Sequence, residues 1–404
     1  MSGGYGIENL PLGAFAEPAG GAPGGIAVRF EDDCVALRPL AAAGLLDGAG
    51  LPRSVLQADN LDPLLAAGRA AGAALRHAVA DLLRDGRADR ARRALSGVHP
   101  VLPFTVGDYV DFFASLEHAT NVGRLFRPDG EALPGAWRHL PIAYHGRAGT
   151  VVVSGTPIRR PAGFRPGDGA PSFGPSRALD FELELGVVAG GPATAVGEPL
   201  GIDDVAERIF GVVLVNDWSA RDIQRFEYVP LGPFLGKSFA TSISAWVVGL
   251  DALDRARVAP VTQDPPPAPH LRPADPWALD LDLEVQLDGE RISAGNARGL
   301  YWTFPQQLAH AASNGAAIRP GDLFASGTVS GAQRGSEGCL LELTRGGAEP
   351  LVLAGGAQRS FLADGDRVTL RARSADGSVA LGEVTGTVTP NAREGAGGAL
   401  SQDD

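Results

Sequence analysis

The stretch LDFELELG at 179 to 186 decides how this chain reads. Asp180, Glu182 and Glu184 alternate with Phe181, Leu183 and Leu185. Successive side chains of a strand point to opposite faces. Leu179 to Val188 is therefore predicted as a strand that sends apolar residues into a core and gathers carboxylates on its other face. Taken alone, the segment also fits an edge strand with a solvated acidic face. Two further stretches argue otherwise. NDWSARDIQRFEYVPLGPFLGKSF at 216 to 239 follows the apolar run IFGVVLV, which sets Asp217 at a strand end where functional side chains are often held. HATNVGRLF at 118 to 126 adds His118 and Asn121. All three stretches are too apolar for solvated charge runs, so their polar residues are predicted to share one buried site, and a hard metal ion fits it.

Composition narrows the function class. A chain of 404 residues, 44% hydrophobic and 20% charged, can bury a large core and is expected to be a globular protein of more than one domain. The 35 Lys+Arg against 47 Asp+Glu give a net charge of −12, which repels nucleic acid and anionic membranes in the absence of a basic patch. No such patch is present; ARRAL at 91 to 95 reads as a short helix face. Cys34 and Cys339 stand far apart without zinc spacing, so no disulfide framework is expected and a reducing, cytoplasmic compartment fits. The N-terminus lacks a basic and then apolar leader pattern. Arg69, Arg76 and Asp81 interrupt the Ala-rich run from Leu64 to Leu83, so neither secretion nor membrane insertion is signalled.

Changes of period give the organisation. Residues 25 to 46, with an acidic turn at Asp32 and Asp33, read as strands of a small β-rich N-terminal unit. From 61 to 96 the apolar residues Leu64, Ala67, Ala71, Leu75, Val79 and Leu82 recur at helical steps. Strands are predicted beyond residue 97 at Thr150 to Ser154, Ile209 to Val215, Ala245 to Leu250, Leu279 to Leu287, Leu340 to Thr344 and Arg367 to Arg371. Helices are predicted at Ser115 to Phe126, Ile202 to Arg208, Ser219 to Phe226 and Tyr301 to Ser313. The expected class is mainly β or α+β. Its division is an N-terminal β-barrel-like domain with helices over 1–98, a catalytic domain over 99–390 and a disordered tail over 391–404.

The residue types point to chemistry. Several carboxylates without a Cys or His cluster favour Ca²⁺ or Mg²⁺ over zinc, and Asp111 in DYVDFF joins Glu182, Glu184 and Asp217 as a further ligand candidate. His118 lies one turn into an apolar helix with Ser115 as its N-cap. Beside a metal, an imidazole that titrates near neutrality can activate water. Arg221, Gln224 and Tyr228 fall on one face of the helix after Asp217, and Lys237 arrives on a Pro/Gly loop. Together they fit the binding of a carboxylate or a developing oxyanion. A non-catalytic calcium-binding protein would need the acidic strand alone.

These stretches carry a resemblance. With NLPLGAF at 9 to 15, LPIAYHGRAGTVVVSGTPIRRP at 140 to 161, YWTFPQQLAH at 301 to 310 and RPGDLFASGTVSG at 319 to 331, the chain resembles the fumarylacetoacetate hydrolase family over nearly its whole length. The resemblance implies a small N-terminal β-rich domain and a C-terminal mixed β-sandwich roll, paired as a homodimer. It implies hydrolysis of a carbon-carbon bond of 4-fumarylacetoacetate to fumarate and acetoacetate, the last step of tyrosine and phenylalanine degradation. A related acylpyruvate or β-diketone acid hydrolase is the alternative within the superfamily.

By the same resemblance, the calcium carboxylates fall on Asp111, Glu182, Glu184 and Asp217. A Mg²⁺-type site falls on Asp217, Lys237 and Thr241, where main-chain oxygens would supply much of the ligation because an ammonium cannot coordinate a cation. The catalytic base falls on His118 with Glu342 in CLLELT orienting it, and Arg221, Gln224 and Lys237 are implied as oxyanion donors. Substrate contacts fall on Arg127, Tyr144, Gln224, Tyr228 and Thr328. One position departs. Where the family has a tyrosine in DFYSS, this chain reads DFFAS, and Phe113 lacks a hydroxyl that could bind a substrate carboxylate.

Overall fold

The computed structural model describes residues 3–17, 21–167 and 169–391. One large sheet organises them. Its main path runs Arg92–Ala94, Asp33–Ala36, Pro23–Phe30, Leu12–Ala16, Trp246–Gly249, Ile209–Asp217, Leu183–Ala189, Leu323–Ala325, Tyr109–Phe112 and Ala143–His145. The N-terminal strands thus continue the sheet that carries the acidic residues, joined where Leu12 and Gly13 pair with Val247 and Trp246. Antiparallel pairs dominate, but Tyr109–Phe112 runs parallel to Leu323–Ala325, and Val151–Val153 runs parallel to Thr241–Ile243. A second sheet, Glu290–Asn296, Leu281–Leu287, Arg367–Ser374, Ala380–Thr389 and Ile158–Arg159, packs over it. This is a mixed, sheet-rich α+β architecture, as expected.

The two faces of the large sheet bury different things. Leu183, Leu185, Val187, Val212 and Leu214 join the core shared with the second sheet. Val188, Val213, Val215, Leu323 and Ala325 turn the other way and pack with N-terminal Leu, Ile and Val residues. Glu184 lies opposite Val215 in the ladder, so it shares this second face, as do Asp217 and Asp111 at their strand ends. The period-2 rule therefore sorts carboxylates from leucines here.

Several expectations are corrected. The strand predicted over Leu179 to Val188 breaks into Leu179–Asp180 and Leu183–Ala189, because Asp180 pairs with Ser219 while Leu183 pairs with Asn216. Leu340 to Thr344 is a short helix, Leu340–Leu343, rather than a strand. Its first N–H groups donate to Asp180, Leu340 at 2.7 Å and Leu341 at 2.9 Å, a distant partner that no local pattern could announce. The helical run after residue 61 breaks at Gly68, whose φ of 88° belongs to glycine, and ends at Arg84. ARRAL is not a helix face: Arg92–Ala94 is a strand paired with Asp33–Ala36.

Other elements fall where the periods put them, as Leu116–Phe126, Ile202–Ala206, Arg221–Glu227 and Phe304–Ala312. Of the tail expected to be disordered, only Asn391 lies within the described residues, and its amide donates to the Arg160 carbonyl at 2.8 Å.

Candidate functional site

Four carboxylates converge where neighbouring strands end. Asp111 comes from Tyr109–Phe112, Glu184 from Leu183–Ala189, Asp217 from Ile209–Asp217 and Glu182 from the break just before Leu183. Each offers an oxygen within 4.8 Å of the others, and all four residues are buried. The ladder sets this meeting: Asp111 pairs with Ala325, and Gly186, two residues past Glu184, pairs with the same alanine.

Cations and donors balance part of this charge. Lys237 Nζ donates to Glu182 and, at 2.8 Å, to Asp217. Arg221 donates to Glu182 Oε1 at 2.7 Å through Nη1 and to Asp180 at 2.8 Å through Nε. Asp217 also accepts from Tyr144 at 2.6 Å and from Thr241 at 2.9 Å. Burial would raise the Glu182 carboxyl, but the Lys237 and Arg221 charges outweigh it and hold the group well below the usual range. Asp111 and Glu184 go the other way, pushed up by burial and then by neighbouring carboxylates.

Asp111 Oδ1 and both Glu184 oxygens have no hydrogen-bond partner. A buried carboxylate without partners is costly. Such an all-oxygen donor set fits a hard divalent cation, with Asp111, Glu182, Glu184 and Asp217 to hold it. Asp180 is not among them. Its oxygens are taken by Arg221 and by the N–H groups of Leu340 and Leu341, so it ties the carboxylate segment to the Glu342 helix.

His118 stands on Leu116–Phe126, where Ser115 Oγ accepts the His118 N–H at 3.3 Å. Its Nδ1–H donates to Glu342 Oε2 at 2.6 Å. Asn121, one turn along the helix, donates to Glu342 Oε1 at 2.9 Å, and Ser330 Oγ donates to Oε2 at 2.8 Å. Burial acts to raise the Glu342 carboxyl; the His118 charge and these three hydrogen bonds prevail and hold it down at about 2. Neither Asn121 nor Ser330 was singled out as a partner of Glu342. The three-residue step from His118 to Asn121 was a usable signal, whereas Ser330 is legible only in three dimensions.

A cleft of about 950 Å³ joins the two groups. Asp111, Glu182, His118, Arg221 and Lys237 reach its wall, as do Phe113, Arg127, Tyr144, Gln224, Tyr228 and Thr328. Glu184 and Asp217 lie behind it with Thr241. Gln224 Oε1 accepts from Arg221 Nη1 at 3.2 Å, leaving the amide NH₂ to donate, and Arg221 Nη2 and Thr328 Oγ1 have no partner.

Arg127 is less free than expected, since it donates to the carbonyls of Glu131 and Ala132. Phe113 meets His118 edge to face, ring centroids 5.3 Å apart. The loop bearing Lys237 is fixed by Glu227, whose Oε1 accepts the N–H groups of Phe234 and Gly236. A Cβ on Gly236 would fall 2.7 Å from Gln224 N, so only glycine allows this approach.

Comparison with known proteins identifies the family. Residues 109–389 match the family described as fumarylacetoacetate (FAA) hydrolase C-terminal, and residues 8–102 match fumarylacetoacetase N-terminal. The fumarylacetoacetase of Arabidopsis thaliana is 45% identical over 406 residues, covering 95% of this chain and 96% of its own. That of Bos taurus is 43% identical over 405 residues, with coverage of 95% and 96%. Among solved structures, a fumarylacetoacetate hydrolase from Exiguobacterium antarcticum covers 95% of this chain and 100% of its own, with a TM-score of 0.55 at 16% identity, a likeness of fold. The chain belongs to the fumarylacetoacetate hydrolase family and is a hydrolase.

Proposed function

We propose that the chain hydrolyses 4-fumarylacetoacetate to fumarate and acetoacetate, a step of tyrosine and phenylalanine breakdown, as a metal-dependent cytoplasmic homodimer. The observation that carries this reading is His118, held from behind by the buried Glu342, facing the same cleft as Asp111 and Glu182 of the carboxylate cluster. A protein that only bound calcium would need no such pair.

Asp111, Glu182, Glu184 and Asp217 are assigned to Ca²⁺, and Asp217, Lys237 and Thr241 to a Mg²⁺-type site. When bound, the divalent cation supplies Lewis acidity toward the diketone oxygens. His118 Nε2 takes the proton of the attacking water. Glu342 fixes the imidazole tautomer through Nδ1–H, so Nε2 is the free base. Arg221 Nη2, the Gln224 amide and Lys237 Nζ donate to the oxygen that becomes negative as water adds to the fumaryl ketone, and losing one such donor typically costs about 3 kcal/mol in the barrier. The carbon-carbon bond then breaks, and the proton held at His118 Nε2 passes to the departing acetoacetate carbon, which restores the base. Arg127, Tyr144, Tyr228 and Thr328 hold the substrate, and Phe113 closes the wall beside His118.

The test is direct. Purified protein, with and without Ca²⁺ or Mg²⁺, is given fumarylacetoacetate and, in parallel, a short acylpyruvate. Metal-dependent release of fumarate is expected from the first, at a far higher kcat/KM than for the second. The reverse preference would assign the chain to acylpyruvate hydrolysis.

A further inference from the structure

Cys339 takes no part in the proposed reaction, yet its Sγ lies 3.2 Å from Glu342 Oε2, the oxygen that accepts from His118. His118 Nδ1 and Cys339 Sγ thus meet the same Glu342 oxygen, one ligand atom from each of the three residues lies within 4.8 Å of the others, and all three residues are buried. This nitrogen, sulfur and oxygen set is separate in chemistry from the all-oxygen cluster. Imidazole, thiolate and carboxylate are the donors that zinc takes, at about 2.0–2.3 Å in a tetrahedron, whereas calcium and magnesium avoid sulfur. Clefts reach two of its three residues. His118 lines the substrate cleft, and Glu342 lines a second cleft of about 670 Å³ behind the helix Leu116–Phe126, between Asn121 and Arg334.

The geometry points to an inhibitory site for a zinc-like divalent ion at His118, Cys339 and Glu342, which would silence the enzyme by occupying the inner nitrogen of its base. Charge favours occupancy. A divalent ion with one thiolate, one carboxylate and a neutral imidazole is neutral overall, the condition a low-dielectric interior asks for.

Binding would release the thiol proton, one per ion, and would move the imidazole proton from Nδ1 to Nε2. A protonated Nε2 cannot accept from water, so hydrolysis stops while the carboxylate cluster stays loaded. The inhibitory consequence rests on the role proposed for His118; the binding site does not.

Cadmium is the probe, because a thiolate bound to it gives an ultraviolet charge-transfer band that oxygen ligands do not. Added to calcium-saturated enzyme, Cd²⁺ should produce this band, release one proton per bound ion and abolish turnover. In Cys339→Ser and Cys339→Ala, each compared with its own cadmium-free rate, the band should vanish and inhibition should weaken at least ~10-fold. Cys34→Ser, altering the other buried cysteine, should keep both. No band in the wild type, or equal inhibition without Cys339, overturns the site and assigns the effect to the carboxylate cluster. A band with proton release but undiminished turnover upholds the site and refutes His118 as the base.

Discussion

His118 and Glu342, 224 positions apart in the chain, meet through a 2.6 Å hydrogen bond from Nδ1–H to a carboxylate oxygen that Ser330 also holds. This contact orients the imidazole and leaves Nε2 toward the cleft. His118→Ala is expected to abolish turnover with metal content unchanged. Glu342→Gln should lower kcat by about 10²- to 10⁴-fold with little change in KM, the range expected when a general base loses its orientation. Elemental analysis and steady-state kinetics check both, and near wild-type kcat in either variant would contradict the assignment.

The same pair predicts an acid limb. Glu342 is held at about 2 against an ordinary 4.5. A carboxyl depressed on folding stabilises the fold above its unfolded value, and that contribution disappears as pH falls through the folded one. The Tm gap between wild type and Glu342→Gln should thus be widest at pH 6 and shrink steadily toward pH 3. A gap that does not change with pH would mean that Glu342 ionises alike in folded and unfolded chains.

Asp180 supplies a structural prediction. It is fully buried and accepts from Arg221 and from two backbone N–H groups of the Glu342 helix. Asp180→Ala should cost about 3–5 kcal/mol in denaturant unfolding, since it strands part of a buried guanidinium. A loss below ~1 kcal/mol would return Asp180 to the solvated face that the sequence also allowed.

Metal removal should act on stability as well as rate. Gathered carboxylates repel one another without a cation, and an ion that binds only the folded state stabilises it by about 2.7 kcal/mol at a hundred times its Kd. Exhaustive chelation is expected to lower both Tm and activity, and Ca²⁺ or Mg²⁺ to restore them. Full activity in verified metal-free protein would exclude a metal-dependent reaction.

Phe113 tests recognition apart from chemistry. Phe113→Tyr adds a hydroxyl to the cleft wall and should lower KM for fumarylacetoacetate while leaving kcat nearly unchanged, because a contact equal in ground and transition states acts on binding alone. Its edge contact with His118 gives the alternative a clear signature. A kcat that falls with KM would mean that the ring positions the base.

By itself the sequence marked Asp111, Glu182, Glu184 and Asp217 each as a carboxylate in an apolar setting suited to a hard cation, started the helix of His118 at Ser115, and made the chain sheet-rich. Strand period, capping chemistry and apolar context are local, and each leaves a trace within about ten residues. The resemblance added what periodicity lacks, the pairing of His118 with Glu342 and the family's fold. Tertiary structure alone decided the rest. It broke the LDFELELG strand at Phe181 and Glu182, because Asp180 and Leu183 hydrogen-bond to different partners. It turned CLLELT into a helix start, because a buried carboxylate 160 positions from Leu340 accepts the N–H groups that the first turn leaves unpaired. Such contacts depend on which distant polar groups must satisfy one another once water is gone, and no window of sequence contains both halves of that requirement.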